Sequence, residues 1–132
     1  MLRRPRKPAI QKTQRQLRGQ QGEALAAAFL KVQGYLILKT NVRYPVGEID
    51  IIARDGDVLC FVEVRSTASD AWGGPFASVT EAKQRKIIRA ARWYLASQKV
   101  EPTFIRFDVL GILWTNPANP QIELIRAAFD AH

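Results

Sequence analysis

The chain has 132 residues, 47% hydrophobic and 24% charged, the composition of one globular domain long enough to build a core without cross-links. One cysteine, Cys60, excludes an internal disulfide framework and a multi-cysteine metal site, and one histidine, the terminal His132, argues against a Ser-His-Asp triad and a multi-His centre. The net charge of +8 is uneven: seven of the 20 Lys and Arg fall in residues 1–18, which hold no acid, and the other 13 face all 12 acids.

That first segment (Arg3, Arg4, Arg6, Lys7, Lys12, Arg15 and Arg18 with Pro5, Pro8 and several Gln) cannot bury a core. Residues 1–18 are therefore expected to be a disordered basic tail, either a solvated linker or an arm for a polyanion. Its Arg-rich, acid-poor composition is also that of a transit peptide. Residues 19–132 form a single domain. Within it Gln20–Gln33 reads as a helix stopped by Gly34. The apolar run Ala24–Leu30 predicts that this helix is covered on more than one side. It is too short to span a bilayer, and no signal-peptide core is seen, so a cytoplasmic protein with no membrane partner is expected.

Tyr35–Thr40 reads as a strand, followed by two β-like runs, Val46–Arg54 and Val58–Arg65, around Asp55-Gly56-Asp57, a hairpin signal. A loop over Ser66–Ser78 contains Gly73-Gly74-Pro75. A helix follows from about Thr80 to Gln98, with Thr80 as N-cap and Glu81 in the first turn. Phe104–Leu113 is another strand, and Ile122–Ile125 a short last one. This order predicts a mixed α/β domain with a helix for each face of the sheet.

Side chains alternate across a strand, so the hairpin sorts by parity. Ile49, Ile51, Ala53, Val58, Cys60, Val62 and Val64 share an apolar face that must be core, and Cys60 is a core residue there. Glu48, Asp50, Ile52, Leu59, Phe61, Glu63 and Arg65 share the other. A turn of two or four residues that sets Arg54 against Asp57 puts Glu48 opposite Glu63. Asp50 is then opposite Phe61 and diagonal to Glu63. Opposed Cβ atoms lie about 5 Å apart, where like charges destabilise unless a divalent cation, a raised carboxyl pKa or Arg65 compensates. A charged, solvated sheet face that discourages edge pairing is the plainer reading. Carboxylates without sulfur or imidazole suit Mg²⁺ or Mn²⁺ rather than zinc.

On the second helix, Ile87, Ile88, Ala91, Tyr94 and Leu95 form one apolar arc flanked by Lys83 and Lys86, which can extend toward the carboxylate face. Arg85, Arg89 and Arg92 lie opposite, as nucleic-acid contacts or as a solvated face. Trp93, Tyr94 and Trp114 are expected to pack rather than to stack on bases. The Trp72–Phe76 loop is an alternative anchor for a protein partner.

Gly47-Glu48-Ile49-Asp50, twelve residues, then Glu63-Val64-Arg65 resembles the metal-binding core of the PD-(D/E)xK nuclease superfamily. More narrowly, the chain resembles the bacterial YraN family, which is similar to archaeal Holliday junction resolvases. Matching features also include Gly22-Glu23, Gly73-Gly74, Ser78-Val79-Thr80 with Lys83, and Arg106-Phe107-Asp108-Val109, in family order. The resemblance implies a restriction-endonuclease-like mixed β-sheet sandwiched between helices. It implies Asp50 and Glu63 as metal ligands for Mg²⁺ or Mn²⁺, with the Val64 carbonyl a third. Glu23 becomes a catalytic carboxylate on the first helix, although an acid early in a helix is also favoured by the macrodipole. Glu48 and Asp108 become supporting residues behind the ligands, an ordinary salt bridge being the other reading of Asp108.

Arg65 stands where these nucleases usually carry lysine; it can clamp a phosphate but cannot act as a base. The expected function is metal-dependent hydrolysis of phosphodiesters in DNA, including branched structures, with Lys83, Lys86, Arg85 and Arg89 on backbone phosphates. A resolvase-like role favours a homodimer. The alternative is a nucleic-acid-binding protein that keeps the fold with little catalysis.

Overall fold

The computed structural model describes residues 14–70, 73–98, 101–102 and 104–131. Along them run α1 (Gln14–Val32), β1 (Leu36–Tyr44), β2 (Gly47–Asp55), β3 (Val58–Thr67), α2 (Glu81–Ser97), β4 (Phe104–Leu113) and β5 (Gln121–Phe129). The strands form one sheet in the order β1-β2-β3-β4-β5, antiparallel except for the parallel pair β3–β4. A parallel pair needs a crossover, and α2 is the helix within it.

Neighbouring strand residues fall into different cores. Ala53, Cys60 and Val62 pack with Ala26 and Leu30 of α1. Ile52 and Phe61 pack with Ile87, Ile88, Ala90, Ala91 and Tyr94 of α2. The sheet therefore carries a helix on each face, the mixed α/β arrangement expected from the element order. Among the described residues no helix is long and apolar enough to cross a membrane.

Several boundaries differ from expectation. Helix α1 begins at Gln14, so Gln14–Arg18, assigned to the tail by charge, are helical; Gln, Arg and Leu are good helix formers whatever their charge. The remainder of the expected tail, residues 1–13, lies outside the described residues, as do Trp72 and His132. Over residues 19–32 of α1 only Gly22, Ala26 and Leu30, four apart, are buried, while Ala24 and Ala28 are exposed. The apolar run is alanine-rich because alanine favours helix, not because the helix is buried on several sides. Strand β5 extends well beyond Ile122–Ile125.

The hairpin turn is Gly56-Asp57, with Asp55 facing Val58 and Ile52 facing Phe61. Gly56, at φ 60, supplies the positive φ that a two-residue turn with glycine first requires. The expected pairing of Arg54 with Asp57 is thus displaced, and Arg54 faces Leu59. The displacement preserves parity, so Asp50, Phe61 and Glu63 keep their common face. Ile49 is the exception: it joins the α2 core rather than the α1 core. The β2–β3 ladder ends at Ile51↔Val62. Beyond it β2 pairs with β1 alone, where Asn41 takes φ 52. Two-stranded ribbons twist more than wide sheets, and this one turns Ile49 toward α2.

Candidate active site

The ladder register carried one residue past Ile51↔Val62 sets Asp50 across from Glu63. Instead of continuing the ladder, the Val64 N–H donates to Asp50 Oδ2 at 2.8 Å. Glu63 is only 3% exposed. Two cations reach it: Lys83 Nζ and Arg65 Nη1 each lie 3.5 Å from Glu63 Oε1.

Local structure fixes both cations. Thr80 caps α2 as expected, its hydroxyl accepting the Lys83 N–H at 3.3 Å, which sets Lys83 in the first turn. A lysine there opposes the helix dipole; Glu63 offsets that cost. Arg65 Nε donates to Ser78 Oγ at 2.7 Å, and that hydroxyl donates to the Pro75 carbonyl at 2.6 Å. Ser78 ends a 3₁₀ turn, Phe76–Ser78, seated on Gly111, the register partner of Arg65. A Cβ at Gly111 would come within 2.9 Å of Phe76 Cζ. A glycine inside a strand here marks the close approach that holds the Arg65–Ser78 clamp. Gly47 plays a similar part for α2, since a Cβ there would meet the Lys86 carbonyl at 2.9 Å.

Burial pushes the Glu63 carboxyl up to about 7, the Asp50 charge adding to the rise and Lys83 opposing it. Burial also raises Asp50, against the Val64 N–H, with the Glu48 charge contributing upward. Two carboxylates thus share one desolvated corner that the protein's own cations do not fully neutralise. A hard dication fits this donor set, because Mg²⁺ keeps several waters and needs one or two carboxylates plus substrate oxygens. Among the described residues no group of three or more His, Cys, Asp or Glu gathers into a fuller cage.

The other expected site residues fall elsewhere. Glu48 is exposed and lies 3.4 Å from Arg43 Nε. Lys86 is exposed and lines, with Lys83, Arg43 and Glu48, a groove of about 410 Å³ beside the carboxylates. Arg85 is 3.9 Å from Glu81 one turn earlier, and Arg89 is exposed. Glu23 is half-buried on α1, in the opposite helical layer, and makes no hydrogen bond or ion pair among the described residues. Asp108 does not lie behind Asp50 and Glu63. It lies on the α1 side, bonded to Tyr35 and Arg106, because its register partner is Val62 rather than a residue of the Glu63 face. Ser78 belongs to the Ser78-Val79-Thr80 motif, but its bond to Arg65 is not readable from that motif, and Arg43, an edge-strand arginine, carries no spacing signal.

The raised Glu63 pKa has a measurable consequence. The folded chain holds a proton on Glu63 up to about pH 7, whereas the usual value is 4.5. Without metal, folding takes up protons in that window, so stability falls as pH rises from about 4.5 through 7. Glu63→Gln, which mimics the protonated acid, is expected to melt near wild type at pH 4.5 and about 5 °C higher at pH 8 in EDTA. Parallel pH profiles for the two proteins would contradict this.

Comparison with known proteins places the chain among close relatives. The profile of uncharacterised protein family UPF0102 matches residues 22–112, a span that takes in Asp50, Glu63, Arg65 and Lys83. A UPF0102 protein of Desulfosudis oleivorans is 49% identical over 119 residues, covering 90% of this chain and 94% of that one. The UPF0102 protein of Geotalea daltonii is 49% identical over 112 residues, 85% of this chain and 88% of the relative. That of Chlorobium chlorochromatii is 53% identical over 94 residues, 71% and 72% respectively. The chain belongs to the UPF0102 family, the YraN-like family that its hairpin and loop motifs resemble.

Proposed function

We propose that the chain is a metal-dependent nuclease of the PD-(D/E)xK kind, with a restriction-endonuclease-like sheet, hydrolysing phosphodiesters in DNA and in particular at branched structures. The observation that carries this reading is the half-buried Asp50 beside the buried Glu63, with Lys83 and Arg65 both 3.5 Å from Glu63. Asp50 and Glu63 would hold Mg²⁺ or Mn²⁺, which supplies Lewis-acid polarisation and activation of water when bound. Arg65, oriented by Ser78, holds the scissile phosphate and stabilises the charge that develops on it. It stays charged at any working pH and takes no proton. Lys83 neutralises the carboxylate corner from the helix side. Lys86, Arg85, Arg89 and the basic N-terminal segment meet backbone phosphates, so affinity falls steeply with salt. A four-way junction presents equivalent strands, which suits a homodimer.

A second reading rests on Arg65 standing where such nucleases carry lysine: a nucleic-acid-binding protein on the same fold with little catalysis. Labelled four-way junction, flap, duplex and single-stranded DNA, incubated with Mg²⁺, Mn²⁺ or EDTA, separate the two. The nuclease reading expects cutting that EDTA and Glu63→Ala both abolish. Salt-sensitive binding with no cutting in any metal assigns the chain to the second reading.

A further inference from the structure

Adjacent aromatic residues of α2 have opposite fates. Tyr94 is 5% exposed in the core, whereas Trp93 is 49% exposed. The Trp93 indole stacks on Tyr44 at the end of β1, with ring centroids 5.8 Å apart and planes at 30°. The packing role expected of Trp93 is met in part by this stack on Tyr44, and about half of its surface remains in solvent.

The surroundings of this stack are cationic and lead to the carboxylates. Tyr44 lines the groove of about 410 Å³ together with Arg43, Lys83 and Lys86, and Lys83 is the residue 3.5 Å from Glu63. At about 100° per residue, Lys86 lies within about 20° of Trp93 around the helix and Arg89 within about 40°. Helical rise puts Trp93 about 15 Å along α2 from Lys83, roughly four nucleotide steps at stacked spacing. Glu48, the acid of the groove, is paired with Arg43.

Cations that track a backbone, ending on an exposed aromatic face, are what a single strand needs: phosphates on the first and a base on the second. Bases inside a duplex are already stacked and cannot reach such a face. An apolar protein partner would gain nothing from the cations. We propose that Tyr44 and Trp93 form a stacking platform for an unpaired base of a nucleic acid whose backbone runs along Lys86 and Lys83 toward Asp50 and Glu63. The preferred substrate class is then nucleic acid with a single-stranded segment a few nucleotides from the bond to be cut, such as a flap or a frayed branch. The position of the bond rests on the nuclease reading; the platform is a binding site in its own right.

The test measures binding in EDTA by anisotropy, with labelled oligothymidylate and a covalently closed duplex minicircle, which has neither ends nor loops, for wild type, Trp93→Ala and Trp93→Phe. Melting temperatures of each confirm folding. Trp93→Ala is expected to weaken oligothymidylate binding about tenfold, the loss of one base stack, and to leave minicircle binding within about twofold. Trp93→Phe, which keeps an aromatic face, restores most of the loss. Equal weakening of both ligands, no weakening, or no oligothymidylate binding by wild type overturns the platform. Cleavage in Mg²⁺ is scored separately. Trp93-dependent binding without any cutting overturns the nuclease reading and leaves the platform standing. Cutting of flaps that Trp93→Ala does not change does the reverse.

Discussion

Asp50→Asn is expected to lower metal-dependent cleavage by about 10³-fold, at or above the upper end of what a single electrostatic group is worth in an active site. The amide keeps the shape of the side chain and an oxygen that can accept the Val64 N–H, which donates to Asp50 at 2.8 Å in the native chain. What it removes is the charge that would hold the ion. Asp50→Ala should be as inactive but less stable than Asp50→Asn by about 1–2 kcal/mol, because the Val64 N–H then loses its acceptor. Single-turnover cleavage and urea melts of the two variants separate chemistry from folding. If Asp50→Asn cuts at close to the native rate, Asp50 holds no essential ion and the assignment of the site fails.

Asp50 and Glu63 could be placed on one face from sequence because strand parity survives an even shift of register. Gly56 can take positive φ beside either neighbouring aspartate, so composition does not decide which pair makes the turn, yet both choices keep the carboxylates together. Thr80 and the apolar arc of α2 were legible for a similar reason: capping and helical periodicity are local rules. What was not legible depends on contacts distant in sequence. Glu48 shares parity with Asp50, but Arg43 on β1 engages it, and the β1–β2 register that brings them together is not readable from either strand. Asp108 falls in a motif that resembles the YraN-like family, yet only the parallel pairing of Val62 with Asp108 shows that it faces α1. Trp93 reads as a packing residue beside Tyr94, but its neighbour is Tyr44 at the end of β1 and about half of it is exposed, neither of which α2 alone determines. Lys83 breaks a local rule, a cation in a helix's first turn, and a broken local rule of this kind is what a functional site produces.

The largest loss of stability is expected from Asp108→Ala. Asp108 is fully buried and accepts from the Tyr35 hydroxyl at 2.8 Å, from Arg106 Nε at 2.7 Å and from the Ala127 N–H at 2.9 Å. Arg106 also reaches Asp55 Oδ2 at 2.9 Å and the Tyr35 oxygen at 2.8 Å, so one carboxylate ties β4 to β5 and to the residue before β1. Burial and the Asp108 hydrogen bond push the Tyr35 hydroxyl up to about 12, which keeps it a donor throughout the working range. Ala127 takes φ 52 where β4 and β5 shift register, a conformation disfavoured for alanine, and its N–H is held by the same carboxylate. Asp108→Ala would leave Arg106 with Asp55 as its one carboxylate partner and the Tyr35 hydroxyl and Ala127 N–H without their acceptor. Breaking a buried pair in this way costs about 3–5 kcal/mol, a large part of the roughly 5–15 kcal/mol that holds a domain together. Asp108→Asn, which keeps one good acceptor, should cost about half as much. Urea denaturation reads both, and a loss below about 1 kcal/mol for Asp108→Ala would show that the network contributes little. The same pair of variants locates Asp108 functionally. Lying on the α1 side of the sheet, away from Asp50 and Glu63, it should leave the cleavage rate per folded molecule unchanged. An Asp108→Asn protein that is fully folded yet does not cut would put this carboxylate in the chemistry after all.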